Sequence, residues 1–145
     1  MVDRRQGKPV LCTMMVDEVA ICKQVDWDGH KYVGYVNLGV PVEDSRRLPV
    51  AKEALVMMTV SLTEHWKVPV AYFLIDGLPG QERANLVLLC LSKLHSAGIT
   101  IVSLTFDGSS ANCAMAVHLR ARHHANDPVC SFPHPENPSQ NVHIF

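Results

Sequence analysis

Asp17 and Asp107 are the residues whose type and placement could do chemistry. Each directly follows a strongly apolar run, Val10-Leu11-Cys12-Thr13-Met14-Met15-Val16 before the first and Ile99 to Phe106 before the second. A carboxylate at the end of a buried strand is costly unless something offsets its desolvation. In open α/β sheets the carboxyl ends of the strands border the ligand crevice, where such a charge is put to use. Adjacent strands lie roughly 4.8 Å apart, so two carboxylates at neighbouring strand ends can share one divalent cation. Hard oxygen ligands select magnesium or manganese over zinc. Without an ion the two carboxylates repel, which should raise each pKa or splay the side chains toward solvent. The plainer reading is that both aspartates begin surface turns, since Asp107-Gly108-Ser109-Ser110 is a good turn and helix-capping sequence. On spacing alone the turn reading prevails.

Other candidates are weaker. Glu18 neighbours Asp17, but along a strand it would point to the opposite face. Asp76 also ends an apolar run, although Asp76-Gly77-Leu78-Pro79-Gly80 reads as a turn. His123, His124, Cys130, His134 and His143 match no pair-of-pairs zinc spacing, and a polar loop explains them better. There is no Gly-rich loop ending in Lys-Ser or Lys-Thr, and no nucleophile elbow.

The elements that must position the aspartates follow from the hydrophobic pattern. Val10 to Val16 is of strand length and nearly continuous, which predicts a central strand buried on both faces. Ile21 to Val25 and Tyr32 to Leu38 flank Asp26-Trp27-Asp28-Gly29-His30, a hairpin signal. Gly39 to Pro49 reads as an exposed loop. Ala54 to Leu62 and Val68 to Ile75 form a second hairpin around Thr63-Glu64-His65, although Ala51 to Leu55 also suits a helix start. Leu86, Cys90 and Leu94 recur at helical spacing within Gln81 to Ala97, and Gly98 supplies the stop. Ile99 to Phe106 is a buried strand. Ser109 or Ser110 then caps a helix from about Ala111 to Leu119. Residues 1–9 are expected to be disordered. Residues 123–141 are expected to be an irregular connection, with Pro128, Pro133, Pro135 and Pro138, and a strand begins only at Val142. A crossover through the first helix into Ile99–Phe106 would be right-handed. The expected fold class is α/β: an RNase H-like mixed sheet with flanking helices, incomplete at the carboxyl end.

The 145 residues allow one domain with its own core. An apolar fraction of 48% with 19% charged residues is ordinary globular composition. A net charge of −1 exerts no long-range pull on nucleic acid. Basic residues occur only in small groups such as Arg46-Arg47. Five cysteines without a Cys-x-x-Cys pair suit free thiols in a reducing compartment rather than a disulfide framework. The first apolar run is too short, and too soon broken by Asp17 and Glu18, for a signal peptide or membrane span. An intracellular protein without a membrane partner is the expectation.

Four segments carry a resemblance: Met14-Met15-Val16-Asp17-Glu18, Val33 to Gly39, Trp66 to Phe73, and Ser103-Leu104-Thr105-Phe106-Asp107-Gly108. In that order they resemble the RNase H-like domain of P element-type transposases, including the THAP-domain-containing vertebrate relatives. Phe132-Pro133-His134-Pro135 with Asn137-Pro138-Ser139-Gln140 is similar to the connection before that family's next strand. The resemblance extends from about Leu11 to Phe145.

The resemblance implies a DDE-type, metal-dependent core acting on DNA. In that family two aspartates, matching Asp17 and Asp107, and a distant glutamate hold two magnesium ions for phosphodiester cleavage and strand transfer. The glutamate lies beyond an inserted GTP-binding domain, and this chain ends before either, so no GTP site is expected here. The zinc-coordinating THAP module is absent as well. The expectation is therefore weak binding of magnesium or manganese by Asp17 and Asp107, weak or no DNA binding, and no activity of this chain alone. A nuclear location follows from the same resemblance. The alternative is a domesticated, non-enzymatic module acting by protein contacts, including self-association through an unpaired sheet edge.

Overall fold

A computed structural model describes residues 9–41, 44–124 and 127–145 of the chain. The expectation of disorder over residues 1–9 falls almost wholly outside them. Strand β1 (Val10–Ala20) alternates strictly: Cys12, Met14 and Val16 are buried, while Leu11, Met15, Asp17 and Val19 are exposed. Its apolar run had suggested burial on both faces, but one face is open. The strand also runs beyond Val16, because Asp17 to Ala20 continue to pair with Val56 to Glu53.

Next come two short strands, β2 (Asp26–Trp27) and β3 (Tyr32–Val33), which form a ribbon outside the main sheet. Its turn is built as expected, with the Asp28 carboxylate accepting from the amides of His30 and Lys31 at 2.8 Å each. The arms are shorter than expected. At Gly34 φ is +110°, and a Cβ there would stand 1.9 Å from the Gln24 carbonyl oxygen. The chain bends there, and Tyr35 and Asn37 make single bridges to Val50 and Leu74 instead. A 3₁₀ turn occupies Ser45–Arg47.

The ambiguous segment resolves as a strand. β4 (Glu53–Ser61) buries every second residue from Leu55 and pairs antiparallel with both β1 and β5 (Lys67–Ile75). Helix α1 (Gly80–Ser96) follows and ends before Gly98, whose φ of +81° only glycine adopts without strain. Strand β6 (Ile99–Thr105) lies parallel to β1, and α2 (Ser110–His118) begins from Ser109, whose hydroxyl accepts from the Asn112 amide at 3.3 Å. The stretch expected to be irregular is largely strand. β7 (Arg122–His124) and β8 (Asp127–Val129) pair with each other, as do β9 (Ser131–His134) and β10 (Asn137–Ile144). Proline misled the reading because it is tolerated at an edge, and Pro133 lies on β9, the outermost strand.

The sheet order is β5-β4-β1-β6-β10-β9. Both helices cover one face. Leu86, Val87, Cys90, Leu91 and Leu94 of α1 and Met115 and Ala116 of α2 join Cys12, Met14, Leu55, Met57, Ile101 and Leu104 in one core. Each Val, Leu, Ile or Met among them contributes about 1.5–3 kcal/mol on burial. Gly80 permits the close helix contact, since a Cβ there would lie 2.6 Å from the Ala114 Cβ. Among the described residues no helix is long and apolar enough to cross a membrane. The last strand, β10, lies inside the sheet, flanked by β6 and β9. The edges are β5 and β9, which carry Pro69 and Pro133 respectively, and proline blunts an edge by lacking an amide donor.

Candidate metal centre

Register is what relates Asp17 to Asp107. The pairing of β1 with β6 ends at Met15 opposite Thr105, and each aspartate stands two residues further on. A shift between Cys12 and Thr13 makes this possible: Cys12 faces Ile101, but Thr13 faces Ser103. Without the extra residue, Val102, the continued register would set Asp17 opposite Phe106. The shift is fastened by side chains, because the Ser103 hydroxyl donates to the Thr13 hydroxyl at 2.8 Å. Both aspartates are exposed, Asp107 just beyond β6 and Asp17 inside β1, past the last β1 residue that pairs with β6.

Each carboxylate has local support. Asp17 Oδ1 accepts from the Glu18 amide at 2.8 Å. Asp107 Oδ1 accepts from the Ser109 amide at 3.1 Å and from the Asn112 side-chain amide at 2.7 Å. The turn reading therefore holds for Asp107, whereas Asp17 lies inside a strand. The expected rise in pKa is not found at Asp107. Its carboxyl is held below the usual carboxylate range, chiefly by the Ser109 amide and then by Asn112, with the Arg83 charge adding a smaller pull. Hydrogen bonds to the charged form outweigh any repulsion there.

Behind these residues lies a network that the sequence reading missed. Glu18 points to the helix-covered face, as strand alternation requires, and forms an ion pair with Arg83 of α1. Arg83 is buried at 3% exposure and also donates to the Leu78 carbonyl at 2.8 Å and to Asn112 Oδ1 at 3.1 Å. A signal existed: Arg83 falls on the apolar stripe that continues through Leu86, Val87 and Cys90. A charge on a buried stripe demands a partner.

The other candidates do not join the centre. Asp76 pairs with Lys52. His134 is buried beside His95, with ring centroids 5.1 Å apart, and His143 is exposed on β10. The side chains of His123 and His124 lie outside the described residues. Among the described residues no group of three or more His, Cys, Asp or Glu side chains is placed to hold a metal. Cys12 and Cys90 are buried, and burial raises both thiol pKa values, that of Cys90 to about 11. Cys22, Cys113 and Cys130 are exposed. An open cleft of about 870 Å³, lined by Trp27, Tyr32, Arg46 and Tyr72 among others, includes neither aspartate.

Residues 1–120 match the family described as TNP-like, RNase H N-terminal domain. Over 136 residues the chain is 29% identical to the human protein named DNA transposase THAP9, covering 92% of this chain and 15% of that protein. The fold is similar to that in the Drosophila P element transposase strand transfer complex. The TM-score is 0.70 at 18% identity, covering 93% of this chain and 26% of that one. The chain thus spans well under a third of either protein it resembles.

Proposed function

We propose that this chain, which belongs to the TNP-like RNase H N-terminal domain family, supplies two carboxylates, Asp17 and Asp107, of a DDE-type metal site for DNA cleavage and strand transfer. The observation that carries this reading is the register of β1 and β6, with both aspartates two residues beyond the Met15–Thr105 pair. The donor set fits magnesium or manganese, being carboxylate oxygen alone at a solvent-facing sheet end. Two protein ligands leave most coordination positions to water, so the ion binds weakly. When bound, it would supply charge stabilisation to a phosphodiester under attack. The chain's own part is to keep Asp107 ionised through Ser109 and Asn112 and to hold Asp17 through the Glu18 amide.

With no third metal-ligating side chain grouped among the described residues, this segment alone should neither cut nor join DNA. Its net charge of −1 gives no electrostatic capture of a phosphate backbone. DNA would then be a partner of full-length members of the family rather than of this chain alone. The test is manganese titration followed by paramagnetic broadening of amide signals. Broadening centred on Asp17 and Asp107, and lost in Asp17→Ala and Asp107→Ala, is expected; broadening unchanged in both variants would reject the site. Incubation with supercoiled plasmid should give no nicking. Nicking that disappears in Asp107→Ala would show that this segment suffices for catalysis.

A second reading, a non-enzymatic contact module, is favoured by the sheet face opposite the helices. Leu11, Met15 and Val19 lie exposed there at 40%, 45% and 52%. Both edges carry proline, so contacts would form through this face rather than through an edge strand. Sedimentation of the protein against Met15→Lys would separate the two: a dimer abolished by the charge supports contact through the face.

A further inference from the structure

Four elements meet in one chain of side-chain contacts. Glu18 lies on β1, next to Asp17; Arg83 lies in the first turn of α1; Asn112 lies in the first turn of α2; Asp107 stands where the chain leaves β6. Arg83 pairs with Glu18 and donates to Asn112 Oδ1 at 3.1 Å, and Asn112 Nδ2 donates to Asp107 Oδ1 at 2.7 Å. Arg83 and Asn112 are buried at 3% and 2% exposure. The amide cannot turn over without cost, because its oxygen would then face the Asp107 carboxylate and its NH₂ would face the guanidinium. Arg83 is itself fixed by a second donation to the Leu78 carbonyl at 2.8 Å. The contact between the two helix starts, on which this depends, is set by Gly80 against Ala114 and Met115.

We propose that Asn112, oriented by the buried Arg83 and its ion pair with Glu18, is the positioning residue that fixes the rotamer of Asp107 beside Asp17. The proposal rests on the metal reading above for its purpose, though not for its geometry. Asn112 caps nothing with its side chain; both ends of the amide are spent on Arg83 and Asp107. Partners behind a metal ligand typically change affinity 10- to 100-fold when removed. The clamp also explains why a charged side chain occupies the apolar stripe of α1: its guanidinium carries orientation from the strand bearing Asp17 to the loop bearing Asp107.

The test reads the Asp107 rotamer without metal. In the wild-type chain, three-bond couplings from the Asp107 carboxyl carbon to its backbone nitrogen and carbonyl should report one χ1 rotamer. The Asn112 side-chain amide protons should also exchange slowly with water. In Asn112→Leu, the couplings should average over rotamers and manganese affinity should fall about tenfold or more. Arg83→Met should reproduce the rotamer averaging while leaving the Asn112–Asp107 pair chemically intact. An unchanged single rotamer in folded Asn112→Leu would overturn the proposal. So would fast-exchanging Asn112 amide protons in the wild type, a measurement that needs no variant to fold. If manganese broadens nothing in the wild type while the rotamer responds as stated, the metal reading fails and the positioning role stands.

Discussion

Glu18 and Arg83 form an ion pair on the buried side of the sheet, one residue along β1 from a carboxylate that faces the open side. Strand alternation thus separates two adjacent acidic residues into two roles: Asp17 is free for a ligand, and Glu18 neutralises the single buried cation of α1.

Arg83→Met is expected to destabilise the fold by about 3 kcal/mol, because it removes a buried guanidinium from an ion pair and from two hydrogen bonds. It leaves Glu18, the Leu78 carbonyl and the Asn112 oxygen without their donor. Urea denaturation with an unchanged m value would read the loss. A cost near zero would mean that solvent reaches Glu18, at 26% side-chain exposure, well enough to replace the pair.

The sequence made one part of this centre legible and hid the other for a physical reason. Val10–Val16 and Ile99–Phe106 announce their strands by continuous apolar character, so the aspartates after them stand out. The register shift at Val102 has no such signature, because one more apolar residue in an apolar strand looks like any other. Neither has the Arg83–Asn112 contact, which depends on how two helices pack. The β9–β10 hairpin was hidden by its prolines, which mark an edge as readily as a loop. The β2–β3 ribbon was overextended because alternation alone does not reveal that Gly34 bends the chain at φ +110°.

Gly80→Ala should destabilise the chain even though alanine is the better helix former. The new methyl would meet Ala114 Cβ and the Met115 nitrogen at 2.6 Å each, and backbone cannot step aside as a flexible side chain can. Overpacking of this kind costs about 1–3 kcal/mol, against a propensity gain of at most about 1 kcal/mol. The Asn112 side-chain amide should also lose exchange protection, since the helix starts must separate. A neutral or stabilising result would show that α1 and α2 slide freely.

Stability should fall between neutral pH and about pH 5 through His134. Burial, and next the charge of His95, push its pKa below the ordinary histidine value, with Glu136 opposing. Its Nδ1 accepts from the Glu136 amide at 3.2 Å, and its Nε2 has no hydrogen-bond partner among the described residues. The native state therefore binds the proton later than the unfolded chain does as pH falls. The contribution is fully present above the unfolded pKa of about 6.5 and is lost as pH drops through the native value. Denaturation midpoints at pH 7 and pH 5 would measure it. An equal drop in His134→Phe would assign the effect to another group.

The two aspartates should separate when stability and metal binding are measured on the same variants. Asp17 is exposed, and its one side-chain hydrogen bond among the described residues comes from the amide of its own neighbour, Glu18. An exposed strand position of this kind tolerates replacement within about 0.5 kcal/mol. Asp17→Ala should thus unfold at nearly the wild-type denaturant concentration. Asp107 is exposed too, yet its carboxylate joins the end of β6 to the start of α2 through Ser109 and Asn112. Asp107→Ala removes the one oxygen that accepts both bonds and leaves the buried Asn112 amide without its partner, so its midpoint should shift clearly downward. That loss should shrink in acid, because the Asp107 pKa is lowered on folding. Its stabilisation is present above the ordinary carboxyl range and disappears as pH falls through the native value. Manganese broadening, by contrast, should vanish in both variants, since each removes half of the proposed protein ligands. Equal destabilisation by the two substitutions would give Asp17 a structural partner that its surroundings do not show. Metal binding that survives either one would place the ion elsewhere.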